Sequence, residues 1–164
     1  MRISIISPNL SGCCSILDIG VTCLATFINE RTRHQANILD YTFKAEHWKE
    51  YLNENLLEFK PDVIGITTTS LFMRYVRMTI REIREEYSAT IPIVLGGYHT
   101  TLNPDSAILE SEVDAIVHGE GEYILTDYLD ALSEGRPLDN IAGLWYKKDG
   151  MIFTLLMSGW RKSS

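Results

Sequence analysis

A chain of 164 residues with 45% apolar and 23% charged side chains has the composition of one globular domain with a core of its own, not of a disordered or fibrous protein. Its formal net charge of −7 argues against a nucleic-acid platform, which calls for a basic surface. No apolar run approaches the ~20 residues that span a bilayer, and the first six residues are too short for a signal peptide, so a cytoplasmic location is the expectation.

The chain opens on a compact apolar run, residues 2–7, that reads as a first strand. A connection from Pro8 to Leu17 follows, long for its kind. Residues 18–29 place Ile19, Cys23, Thr26 and Phe27 at helical spacing. Residues 34–40 predict a second strand, and residues 46–59 a helix with Trp48, Leu52, Leu56 and Phe59 facing inward. After the break at Lys60-Pro61-Asp62, residues 63–67 are apolar enough for a strand buried on both faces.

Residues 72–87 follow as a helix with Met73, Val76, Ile80, Ile83 and Tyr87 on one stripe. Its arginines, Arg74, Arg77, Arg81 and Arg84, are interleaved with Glu82, Glu85 and Glu86 and read as a solvated outer face. Residues 91–95 form a fourth strand, and Asn103-Pro104 suits the cap and first turn of a short helix. Residues 114–117 are the fifth strand and 121–133 the fifth helix. A hairpin with an Asp149-Gly150 turn then spans residues 141–155.

This alternation predicts an α/β fold: a doubly wound, five-stranded parallel sheet of flavodoxin-like order 2-1-3-4-5 with a C-terminal β-hairpin. The expected division is a Rossmann-like binding domain over residues 1–140 and a hairpin and tail over residues 141–164. A hairpin followed by the patternless Gly159 to Ser164 suggests a fragment, or the first module of a longer chain, with a further module downstream.

In such a sheet the ligand crevice lies above the carboxyl ends of the strands, where the order reverses. Four segments meet there: the connection that opens with Pro8 and Asn9, the run Thr67-Thr68-Thr69-Ser70, the junction Gly96-Gly97-Tyr98-His99, and Gly119-Glu120-Gly121. Capping accounts for one of four consecutive hydroxyl residues, not for all four. Residues without a Cβ leave room for a ligand.

Catalysis by this chain is not indicated, because no G-x-S-x-G elbow, H-E-x-x-H or P-loop is present. His99 suits a ligand, an acid–base role or a structural bond, and His118 equally suits packing. Glu120 and Glu122 flank a helix start, where carboxylates favour the dipole. Cys13, Cys14 and Cys23 have no C-x-x-C spacing, which argues against zinc or an iron–sulfur cluster held by this chain.

Three strings together resemble a known family: Pro61 to Thr67, Ile93 to Pro104 with its G-G-x-H-x-T, and Val113 to Glu122 with its G-E-G-E. They are similar to the cobalamin (vitamin B12)-binding domain fused in front of a radical S-adenosylmethionine module, as in the family that includes the anaerobic magnesium-protoporphyrin monomethyl ester cyclase. The likeness runs from Met1 to about Tyr146.

The resemblance implies cobalamin as the bound cofactor, with its dimethylbenzimidazole tail in the crevice between strands one and three. It implies that Thr67 and Ser70 bond the tail, that Gly96 and Gly97 let the backbone pass close, and that Gly119 to Gly121 close the far wall. It also implies a radical methyltransferase or cyclase as parent. That parent's S-adenosylmethionine and [4Fe-4S] cluster would belong to the downstream module, since no C-x-x-x-C-x-x-C stands here.

Related cobalamin domains carry D-x-H-x-x-G, the histidine being the lower cobalt ligand. The aligned stretch here is Ser15-Ile16-Leu17-Asp18-Ile19-Gly20. Gly20 is kept, but Leu17 stands at the ligand position, and an alkyl group cannot bind cobalt. The expectation is therefore base-off binding with no histidine below the metal. The competing readings are a flavin or nucleotide binder using Ser11, Gly12 and Ser15 as a phosphate loop, and a cofactor-free interaction domain.

Overall fold

The computed structural model describes residues 1–11 and 18–155. Seven strands form one sheet in the order β2-β1-β3-β4-β5-β6-β7. The first five, β1 (Arg2–Ser7), β2 (Gln35–Asp40), β3 (Val63–Thr67), β4 (Ile93–Gly96) and β5 (Ala115–Val117), run parallel. The expected order 2-1-3-4-5 is the one observed.

Helices α1 (Ile19–Arg31) and α6 (Gly121–Glu134) pack on one face of the sheet. Helices α2 (Trp48–Phe59), α3 (Met73–Glu82) and α5 (Pro104–Ile108) supply the core on the other. β3 is buried from both sides, Val63 toward α1 and α6, Ile64 and Ile66 toward α2 and α3. That is why its sequence is a continuous apolar run instead of an alternation. Among the described residues, no helix is long and apolar enough to cross a membrane.

The hairpin extends this sheet. β6 (Leu144–Lys148) pairs antiparallel with β5, setting Val117 opposite Leu144 and Ala115 opposite Tyr146, and β7 (Met151–Thr154) pairs with β6. Asp149 and Gly150 both adopt positive φ, 51° and 77°, the conformation a two-residue hairpin turn requires.

Three local expectations are corrected. Helix α1 turns Val21, Ala25 and Ile28 into the core, while Ile19 is 72% exposed and Cys23 is exposed. Apolar residues surround this helix, so spacing alone does not fix its inward stripe. The junction after β4 is itself helical: α4 (Tyr98–Leu102) precedes α5. Finally, the arginines of α3 and the wider turn after it (Ile83–Tyr87) are not a uniformly solvated face. Arg77 makes two hydrogen bonds to Glu110, and Arg84 is largely buried against carbonyl oxygens and Asp114.

Candidate functional site: a cleft between two helices

A doubly wound sheet is left bare where successive crossovers leave for opposite faces. Here α1 follows β1 onto one face, α3 follows β3 onto the other, and α6 returns to the first only after β5. Between α1 and α6, over β3 and β4, a cleft of about 530 Å³ remains. That volume is in the range of small-molecule sites.

The floor of the cleft is one row of the sheet. Ile5 on β1, Gly65 on β3 and Val94 on β4 lie abreast and line it together. Gly65 is the gap in that row, because it carries no side chain between two residues that do. A Cβ added there would lie 3.4 Å from the Ile3 side chain, on the face that packs against α1 and α6. Val21 and Leu24 of α1 and Leu125 of α6 form the walls with Val117.

The rim is polar. Asp18 caps α1, its Oδ1 accepting from the Val21 N–H at 3.2 Å, and its Oδ2 accepts from the Thr67 hydroxyl at 3.4 Å. One carboxylate thus joins the start of α1 to the end of β3. The Thr68 N–H and hydroxyl both donate to the Gly96 carbonyl, at 2.7 and 2.8 Å. The Thr69 hydroxyl is buried with no hydrogen-bond partner among the described residues.

Gly97 has φ 103°, and a Cβ there would sit 2.8 Å from the Thr68 carbonyl oxygen, so only glycine fits. Gly96 differs, since a Cβ there would meet nothing within 4 Å and would point into open space. At the far wall Gly119 has φ 113°, and a Cβ at Gly121 would lie 3.7 Å from Leu24, where α6 comes close to α1.

Of the residues that the sequence singles out, Gly20, Thr67, Thr68, Thr69, Gly96, Gly97, Tyr98, Gly119, Glu120 and Gly121 line this cleft. Leu17 lies outside the described residues, as do Gly12 and Ser15 of the phosphate-loop reading. Pro8 and Asn9 are buried elsewhere, and the Asn9 amide donates to the Thr42 hydroxyl at 3.1 Å, beside the end of β2. Ser70 and His99 are hydrogen-bonded to each other at 3.0 Å and do not line the cleft. The His118 ring lies beside Trp145, centroids 6.2 Å apart and tilted at 53°, and the His118 backbone N–H donates to the Gly143 carbonyl.

Sequence reasoning missed Asp18, Ile5, Gly65, Val94 and the apolar walls. The available signal was Gly65 itself, a glycine in the middle of a buried strand, where close approach of a ligand is one of the few explanations.

The comparisons with known proteins agree with this geometry. The B12 binding domain family model matches residues 15–129. An uncharacterized methyltransferase of Pyrococcus horikoshii is 33% identical over 135 residues, covering 82% of this chain and 28% of that protein. The anaerobic magnesium-protoporphyrin IX monomethyl ester cyclase of Rubrivivax gelatinosus is 32% identical over 89 residues, 54% of this chain and 16% of that one.

Among solved structures, the radical S-adenosylmethionine methyltransferase TsrM from Kitasatospora setae, with cobalamin and a [4Fe-4S] cluster bound, superposes with a TM-score of 0.85 at 25% identity. The match covers 96% of this chain and 29% of that one. The chain thus spans less than a third of each of these relatives. It belongs to the B12-binding domain family and is a cobalamin-binding module.

Proposed function

We propose that the cleft between α1 and α6 holds cobalamin base-off, with its nucleotide tail descending to Gly65 and its corrin resting on the rim. The observation that carries this reading is the gap in the row Ile5–Gly65–Val94 beneath a polar rim. That socket suits a ligand with a flat apolar end and a polar shoulder. Burying a benzimidazole-sized ring of about 150 Å² contributes roughly 4 kcal/mol at ~25 cal/mol per Å². Thr69, with its unpartnered hydroxyl, and the opening turns of α1 and α6 suit the polar shoulder and its phosphate.

No histidine is placed to ligate cobalt from below. The chain has four, His34, His47, His99 and His118, and none lines the cleft. The cobalamin, when bound, supplies the reactive cobalt; the residues named here bind and orient it.

The relatives' names extend the reading. A downstream radical S-adenosylmethionine module, with its own [4Fe-4S] cluster, would use this cobalamin in methyl transfer or cyclisation. The hairpin over residues 141–155, which completes this sheet and leads toward that module, and a cytoplasmic setting, in which Cys23 stays a reduced thiol, belong to the same proposal.

The test is a visible-absorbance titration with hydroxocobalamin. Wild type is expected to bind saturably with a shift to the base-off spectrum. Gly96→Leu, which fills the open space above the floor, is expected to lose that shift while keeping its circular dichroism and Tm. Absence of binding by the wild-type chain would overturn the reading.

A further inference from the structure

We propose that this cleft selects the lower base of its corrinoid, accepting a dimethylbenzimidazole and rejecting a purine. The inference rests on the cobalamin reading above and adds the class of tail that fits.

Polar groups stop at the rim. Below the level of Thr67 and Gly96, which face each other in register, the floor side chains are Ile5 and Val94, with Gly65 in the gap, and the apolar walls are Val117, Val21 and Leu125. None carries a donor or an acceptor. The backbone of the floor is committed as well, since Ile5, Gly65 and Val94 belong to adjacent parallel ladders. Asp18 and Thr67, the nearest polar side chains, bond each other at the rim.

A base entering this floor therefore loses water and gains no hydrogen bond. A benzimidazole brings one free ring nitrogen, and its two methyl groups offer apolar volume to the gap over Gly65. An adenine base adds two ring nitrogens and an amino group, all of which would be buried without partners. Each orphaned polar group weakens binding by about tenfold. The cleft thus reads as a filter for an apolar tail, set by a missing side chain in the middle of a strand.

The experiment measures dissociation constants of three corrinoids, namely cobalamin, the cobamide with an adenine lower base, and cobinamide, which has no base. Wild type is expected to bind cobalamin at least about tenfold tighter than either of the others. Gly65→Val is expected to lose that margin and bind cobalamin only as tightly as it binds cobinamide. Gly65→Ala is a milder second variant, because its Cβ makes only ordinary contact with Ile3 at 3.4 Å; it should give an intermediate loss.

Equal affinity for the adenine cobamide and cobalamin would overturn the selection while leaving the cofactor reading intact. Equal affinity for cobinamide and cobalamin would show that no tail enters the cleft. No binding of any corrinoid would remove the cofactor reading itself.

Discussion

The His99 Nδ1 lies 3.0 Å from the Ser70 hydroxyl, joining the segment after β3 to the helix after β4. The His99 backbone N–H also donates to the Thr68 carbonyl at 3.1 Å. Both bonds hold the ledge that Thr67, Thr68 and Thr69 form over the cleft. The two side chains thereby position the site without facing it.

Removing that bond has a graded cost. Ser70→Ala should lower the unfolding free energy by about 1 kcal/mol. His99→Ala should cost about 2–3 kcal/mol, because it also leaves a cavity at a side chain only 8% exposed. Urea denaturation reads both, and corrinoid affinity should fall along with them.

The paired glycines separate backbone strain from ligand space. Gly97→Ala forces a Cβ to 2.8 Å from Thr68 and holds alanine at φ 103°, so a loss of roughly 1–3 kcal/mol or more is expected. Gly96→Ala meets nothing within 4 Å and should change stability by less than about 0.5 kcal/mol. Thermal melts of the two variants should therefore differ, with only Gly97→Ala clearly destabilised.

Arg84 ties together the two loops that lead into β4 and β5. Its guanidinium donates to the Ile91 carbonyl at 2.6 Å and the Glu112 carbonyl at 3.0 Å, and it lies 3.2 Å from Asp114, which also accepts from the Ile93 N–H. An ammonium cannot reproduce this fork. Arg84→Lys should cost about 1–3 kcal/mol in a urea titration, whereas exposed Arg74→Lys should be neutral within about 0.5 kcal/mol.

Stability should also depend on pH through His34. Burial of its ring, with the charge of the amino terminus 3.0 Å from Nδ1, lowers its pKa below the usual 6.5 against the opposing pull of Asp130. The folded state therefore prefers the neutral ring. The associated stability is complete above the unfolded value and is lost as pH falls toward the folded one. Between about pH 7.5 and about pH 5.5 the wild-type Tm should drop more than that of His34→Gln.

Much of this was legible beforehand, and for physical reasons. β3 and β4 are continuous apolar runs ended by hydroxyls or glycines, and β1 is nearly so. Such runs have few alternatives to a buried parallel sheet. The rim was legible because Thr67 to Thr69, Gly96-Gly97 and Gly119 to Gly121 follow strands directly.

The floor was not legible in the same way. Ile5, Val94 and Leu125 look like any core residues, and only the register across β1, β3 and β4 reveals that Gly65 interrupts a row. Nor could local pattern assign Ser70 and His99 to each other, 29 residues apart. The pairing of β6 with β5 is equally a long-range choice.

The most direct test of base-off binding in this cleft is electron paramagnetic resonance of the wild-type chain loaded with cob(II)alamin. With the tail in the cleft and no histidine below the metal, the cobalt signal should show no superhyperfine splitting from an axial nitrogen. A spectrum split by one nitrogen would mean that the base or a histidine still binds cobalt, and it would contradict the account.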